Sequence, residues 1–397
     1  MSVGTAFHDR TAPLNRKMQW REWAGFYAAS VYADFHDIEY NAIREAAALI
    51  DVSPLFKYRV SGPDAERLVD RVITRDATKL KIGAVYYTPW CDEHGKVVDD
   101  GTVHRLSPTE FRWTAADPQL RWLRMNAAGL HVTVEDVSES LAALALQGPQ
   151  SRAVLEAATG ESFADLGYFR RRGSKIGAVA LDVSRTGYTG DLGYELWLPE
   201  EAAAEVWDAL VAAGTAHGIR PAGMLALDVT RLEAGLILLE VDYTSARQAM
   251  NPEQNYSPFE IGLGRLVTFD KADFVGKRAL EAERRRGGPG RRLVGLTLDW
   301  YGIEGLFAAQ GLPPAVSPTV DRSAVPVFAP GRGQVGKATS RGWSPILKQA
   351  IALASVPPAY EKAGSQLEVE WTVEGRRGRV RATVVELPFL DLPRKRA

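Results

Sequence analysis

Eleven consecutive residues, Arg185-Thr186-Gly187-Tyr188-Thr189-Gly190-Asp191-Leu192-Gly193-Tyr194-Glu195, carry three glycines and two threonines, which no helix interior tolerates. The alternating run Ala178 to Ser184 precedes them and reads as a strand; Leu196-Trp197-Leu198-Pro199 follows as a second, short strand. The glycine segment is therefore a turn between two strands. A phosphate-cradling loop needs a helix N-terminus directly behind it, and none is expected here. A turn ending in Tyr194-Glu195 suits a flat heterocycle better, because a carboxylate offers two parallel acceptors to an amidine-like edge and a phenol offers a ring. On its own the segment also reads as an ordinary hairpin whose glycines only make the turn.

Bulk properties narrow the partners. At 397 residues the chain is long for one core and is expected to form two or three domains. Its 48 basic and 49 acidic residues nearly cancel, so neither nucleic acid nor an anionic membrane is an expected partner. A single cysteine, Cys91, excludes an intramolecular disulfide and fits a reducing compartment. With no signal-peptide pattern and no run of about 18 apolar residues, a cytoplasmic location is expected. The six histidines form no metal-spaced pair with a second ligand, so no metal site is expected.

Helices are expected over Asp37–Leu49, from Gly62-Pro63-Asp64 through Ile73, and over 200–217 and 221–234. The region from Ala84 to about residue 135 reads as strand-rich, with a turn at Asp92-Glu93-His94-Gly95. Arginines around Gly287-Gly288-Pro289-Gly290 mark a solvated linker over 284–292. Beyond it, Leu293–Leu298, Gln334–Ala338, Ile351–Val356, Leu367–Val373 and Val380–Val385 read as short strands of an antiparallel barrel.

Within Val97-Val98-Asp99-Asp100-Gly101-Thr102-Val103, neighbouring side chains on a strand face opposite sides. One aspartate must then point inward and the other toward solvent, with Gly101 a candidate bulge that re-aims the inner one. A buried carboxylate needs a basic partner or a ligand. A plain hairpin with two exposed acids is the competing reading.

The glycine segment resembles the Arg-Thr-Gly-Tyr-Thr-Gly-Glu-x-Gly-aromatic-Glu signature of the tetrahydrofolate-dependent aminomethyltransferase family, the glycine-cleavage T-protein and its demethylase relatives, departing only at Asp191. Leu146-Gln147-Gly148-Pro149-Gln150-Ser151, Asp228 to Gly235, Ser257 to Gly264, Asp273-Phe274-Val275-Gly276-Lys277 and Leu387-Pro388-Phe389 follow the family's order. The resemblance covers about residues 40 to 390. It implies an α+β fold, a three-domain ring of two interleaved α/β domains and a C-terminal antiparallel β-barrel. The folate-binding region would span 1–283, interleaving roughly 1–52 with 140–245 and 53–139 with 246–283, before the linker and a barrel over 293–397. Asp100 falls at the family's essential aspartate, in Gly95-Lys96-Val97-Val98-Asp99-Asp100, and Tyr87 where the family sets a tyrosine against the folate.

The implied chemistry is one-carbon transfer to N5 of tetrahydrofolate. Asp100 would orient the reactants or balance developing charge, Glu195 would grip the pterin's amino-pyrimidine edge, and Tyr188 and Tyr87 would pack on the rings. Arg231 would partner the anionic tail or a nearby carboxylate; a structural pair with Glu233 or Asp228 is equally open. His36 and Tyr40, at i and i+4, either line a substrate pocket or serve the core.

The chain departs from the T-protein at Asp51 to Phe56, at Phe111 to Asp117, at Leu238 to Tyr243, and in the longer stretch from Tyr243 to Ser257. These changes fall where the donor enters. Glu240, Asp242, Tyr243 and the aromatics of residues 20–32 suit a small methylated donor, since carboxylates and aromatic faces attract methylated cations. The alternative is a true T-protein acting on a lipoylated carrier protein. A non-catalytic folate-binding protein is a third possibility, but the Lys-Gly-Cys-aromatic-x-Gly-Gln-Glu motif of such relatives is missing.

Overall fold

Leu141–Gln147 shows how this chain builds its core. Leu144 and Leu146 pack on one face of the strand, under the helices Ser151–Thr159 and Ala203–Gly214, while Ala143 and Ala145 meet Tyr40, Ile43 and Leu227 on the other. A strand buried on both faces has to be apolar throughout, with large and small residues alternating to suit each side. The computed structural model describes residues 2–396. In it this strand is interior to a six-stranded sheet ordered Arg171–Ile176, Val179–Ser184, Gly193–Pro199, Leu141–Gln147, Ala47–Asp51 and Ile219–Pro221.

A second sheet of five strands runs Val85–Cys91, Val97–Ser107, Glu110–Ala115, Phe56–Ser61, Thr133–Asp136. The third body is a closed antiparallel barrel of Arg292–Leu298, Gln349–Val356, Gln334–Ser344, Val325–Phe328, Gln366–Val373 and Arg376–Val385. The fold is α+β. Among the described residues no helix is long and apolar enough to cross a membrane.

The expected helix over Asp37–Leu49 is divided. Helix His36–Glu45 stops at Ala46, and Ala47–Asp51 is a strand. Alternate residues of that strand, Ala47 and Leu49 against Ala48 and Ile50, enter two different cores. Burial on both faces of a sheet overrides the helical preference of Ala-Ala-Leu. The strand-rich region contains a helix, Leu120–Asn126. The barrel adds the helix Trp300–Ala308, capped by the Asp299 carboxylate, and the strand Val325–Phe328. Arg284 and Arg285 close the helix Lys277–Arg285, and Arg291 pairs with Glu260 at 3.2 Å, so the arginine run is only partly solvated.

Gly101 is no bulge. The register runs unbroken through Thr88 opposite Gly101 and Pro89 opposite Asp100. The glycine is required by close approach instead: a Cβ there would lie 2.0 Å from the backbone oxygen of Thr114 on the next strand.

Two buried arginines bind the helix Met224–Glu233 to its surroundings. Arg231, 1% exposed, reaches Asp228 at 2.8 Å, Asp242 at 2.8 Å and the barrel residue Ser340 at 2.9 Å. Arg44 reaches Glu233 at 2.6 Å and Asp191 at 3.3 Å, while Tyr40 and Ser344 also donate to Glu233. Arg394, near the end of the chain, closes on Asp191 at 2.7 Å.

Arg231→Met would leave Asp242 buried without its cation and Asp228 with Arg322 alone, and urea unfolding should show a loss of about 3–5 kcal/mol. Gly101→Ala should cost about 1–3 kcal/mol in the same assay, by forcing the backbone beside Asp100 away from Thr114.

Candidate functional site

The signature turn is folded around one side chain. Gln147, at the end of its strand, donates from Nε2 to the carbonyls of Thr186 (3.3 Å) and Tyr194 (3.4 Å), and its Oε1 accepts from Thr189 at 2.8 Å. A Cβ on Gly187 or Gly193 would come within 2.2 and 2.3 Å of the Gln147 amide, so only glycine leaves room for it. The packed turn places Glu195 opposite Ser184 in the sheet.

Glu195 is partly exposed. Its Oε2 accepts from the Thr186 hydroxyl at 2.5 Å, and its Oε1 accepts from no described residue. Burial raises the pKa of this carboxyl, while the Thr186 bond and the Arg112 charge pull it down. Tyr188, from the same turn, donates its hydroxyl to the carbonyl of Ile237.

The second half of the site is built on Val97–Ser107, the second strand of the five-stranded sheet. Both aspartates are engaged, against the expectation that one meets solvent. Asp99, fully buried, accepts from the backbone N–H of Asp100 (2.7 Å), Ala116 (3.1 Å) and Asp117 (3.0 Å) and from Gln119 (3.2 Å). It fastens the chain behind the site. Asp100 points to the other side. Tyr87 donates to its Oδ2 at 2.6 Å, and the Tyr243 hydroxyl donates to its Oδ1. Burial pushes the Asp100 carboxyl up, and both phenols oppose that push by favouring the charged form. The same burial, with the Asp100 charge beside them, drives both phenols well above the usual tyrosine range, so they remain donors.

A cleft of about 430 Å³ opens beside Tyr87. Tyr86, Tyr168 and Phe169 form aromatic walls, and Arg75, Arg170 and Arg265 line it as well. The Phe169 N–H donates to the Arg185 carbonyl at 3.1 Å, the Arg185 N–H donates to the Arg170 carbonyl at 2.8 Å, and Tyr87 lines the cleft while bonding Asp100, which makes the cleft, the signature turn and the Asp100 strand neighbours. The arginines and Tyr168 are scattered through the chain without a shared motif, and sequence reading passed over them. Thr186 lay inside the signature, yet nothing in its type singled it out as the partner of Glu195.

Other expected residues sit differently. Of the alternatives open for Arg231, the pair with Asp228 forms, and Glu233 goes to Arg44. Asp242 is no open wall for a cationic donor: it is 2% exposed and held by Arg231, Thr339, Ser340 and the Leu238 N–H. Glu240 is exposed and accepts from the Ser245 N–H at 2.8 Å. His36 is buried against the Pro318 carbonyl at 2.9 Å, and Tyr40 is used by Glu233. Tyr243, expected in the donor wall, instead grips Asp100. Among the described residues no group of three or more His, Cys, Asp or Glu is placed to hold a metal ion.

Comparison with known proteins agrees with this architecture. The GCVT N-terminal domain matches residues 6–271, and the glycine cleavage T-protein C-terminal barrel domain matches 310–391. The aminomethyltransferase of Moorella thermoacetica is 36% identical, covering 94% of each chain. The trimethylamine-oxide aldolase of Ruegeria pomeroyi is 38% identical over 98% of this chain, which spans only 47% of that longer protein. The crystal structure of the glycine cleavage system aminomethyltransferase T from Bartonella henselae superposes with a TM-score of 0.83 at 25% identity, covering 98% of this chain and 99% of that one. With two domain matches in order, full-length relatives and a shared fold, this chain belongs to the glycine-cleavage T-protein family of tetrahydrofolate-dependent one-carbon transferases.

Proposed function

We propose that this protein passes a one-carbon unit from a small methylated amine to tetrahydrofolate, with Asp100 as the catalytic carboxylate. The observation that carries the reading is Asp100 itself, a carboxylate oriented by two phenols from distant segments and set beside an aromatic cleft. The residues fit the folate. Glu195 has one oxygen free to accept from the donor edge of a pterin. Tyr87 and Tyr168 offer rings in the cleft with Tyr188 in the adjoining turn, and Arg75, Arg170 and Arg265 line the cleft with positive charge suited to an anionic tail. When bound, tetrahydrofolate supplies a weakly basic amine that accepts the carbon.

Asp100 would then do two things. As an acceptor-only carboxylate it stabilises positive charge on the donor nitrogen and on the carbon in transit. Being pinned by Tyr87 and Tyr243, it does so without having to reorient. Arg231 and Asp242 act one layer behind, holding the segment that delivers Tyr243.

Two facts favour a small amine as donor. Tyr243 belongs to the segment that departs from the T-protein pattern, and a relative matched over nearly the whole chain is named for trimethylamine oxide. The full-length aminomethyltransferase relatives support the second reading, a lipoylated carrier protein as donor. Turnover with methylated amines in the absence of any carrier supports the first; turnover with the lipoylated carrier alone transfers the assignment to the second.

Asp100→Asn should lower kcat about 10²–10³-fold while leaving tetrahydrofolate affinity within a few-fold of wild type. Unchanged turnover would remove Asp100 from the mechanism. Tyr243→Phe deletes a hydrogen bond that favours the charged form, so the acid limb of the kcat profile should move to higher pH. A profile that stays in place would show that the phenol does not tune the carboxylate.

A further inference from the structure

Behind Glu195 runs a chain of hydrogen bonds whose direction is set by its first member. The Trp197 indole, 2% exposed, can only donate, and its Nε1–H meets Ser184 Oγ at 3.2 Å. Ser184 Oγ lies 2.9 Å from Thr186 Oγ1, and Thr186 donates to Glu195 Oε2 at 2.5 Å. With Ser184 accepting from the indole, its own proton is best spent on Thr186, and the Thr186 proton on the carboxylate. A proton on Glu195 Oε2 would reverse the last two bonds. Ser184 would then accept twice and could donate only to the Glu195 backbone carbonyl, at a long 3.4 Å. The arrangement therefore keeps Oε2 unprotonated, and the Thr186 bond is stronger to the carboxylate than to an acid protonated on Oε1.

A cation reinforces it. The Arg112 guanidinium lies 4.3 Å from the Trp197 ring centroid, anchored by Asp182 at 2.6 Å and by Nδ1 of the buried His104 at 2.9 Å. Because arginine only donates, that Nδ1 must be the acceptor, which leaves His104 neutral with its proton on Nε2, toward Thr102 at 3.0 Å. Nothing in this stack takes a proton from the indole.

We propose that Trp197 is a positioning residue: through Ser184 and Thr186 its N–H holds Glu195 as an acceptor-only carboxylate, with Oε1 turned to the donor edge of the folate. The inference rests on the folate reading above and adds the group that sets how Glu195 is presented. The charge facing Glu195 is Arg112 on the neighbouring sheet, and the titratable Tyr168 phenol of the cleft, which burial pushes up to about 12, stays neutral; Asp182 and Arg171 meet Glu195 only through Arg112.

The test is anaerobic tetrahydrofolate binding, read by tryptophan fluorescence from about pH 5 to about 9, on wild type, Trp197→Phe, Thr186→Val, Thr186→Ser and Glu195→Gln. Trp197→Phe keeps a ring and loses the donor. It should weaken binding about 3- to 10-fold and move the acid-side loss of binding to higher pH. Thr186→Val should do the same and Thr186→Ser should restore the wild-type profile, an independent arm should Trp197→Phe fold poorly. If both donor-deleted variants follow the wild-type profile while Glu195→Gln loses binding, the inference falls and the folate site stands. If wild type does not bind, or binds no better than Glu195→Gln, the folate reading falls and the inference with it.

Discussion

Arg44 and Arg231 tie the signature turn of the six-stranded sheet to the barrel through one helix. Between them they take up Asp191 in the signature turn, Glu233 and Asp228 on one helix, and Asp242 on the segment that follows. Tyr40, Ser340 and Ser344 complete the hydrogen bonding, two of them from the barrel. Buried charges at these positions are tolerable only because each carboxylate and each guanidinium is paired. The site inherits its geometry from that pairing. Glu195 stands on the sheet that Arg44 ties down, and Tyr243 follows directly on the aspartate held by Arg231.

The site is therefore composite. The part proposed to face the folate is an insertion of side chains into one turn, where the Gln147 amide occupies the space that glycines leave. The part proposed to react is a carboxylate between two phenols. Each part is held by bonds between segments far apart in sequence, and the cleft adjoins both. The separation suits a transfer reaction, because one region needs to recognise a large acceptor and the other needs to accommodate a donor.

Much of this was legible in the chain, for identifiable reasons. The glycine turn between strands and the barrel strands sit in local patterns whose period or composition is diagnostic, while Asp100 and Glu195 were singled out by the family resemblance of the motifs that contain them. What escaped was set by residues far apart in sequence. Ala47–Asp51 carries good helix formers, and only its two flanking cores make it a strand. Gly101 looked like a bulge because the backbone of Thr114, thirteen positions on, was not visible. Asp242 and Tyr243 are adjacent and were read alike as donor wall, yet one is sealed into an ion pair and the other reaches Asp100. Pairing of charges is a property of the assembled interior, and residue type alone does not reveal which acid remains free.

Tyr243 gives the family's variation an unusual constraint. It lies in a segment that departs from the aminomethyltransferase pattern, and its hydroxyl is bonded to the carboxylate proposed as catalytic. In most enzymes a specificity loop can diversify while the reacting group keeps its acidity. On that proposal the two share an atom pair, so a lineage that reshapes this wall for a new donor would also reset the proton affinity of its catalytic carboxylate. Donor preference and working pH would then drift together along the family tree, and an engineered change in one would bring a shift in the other.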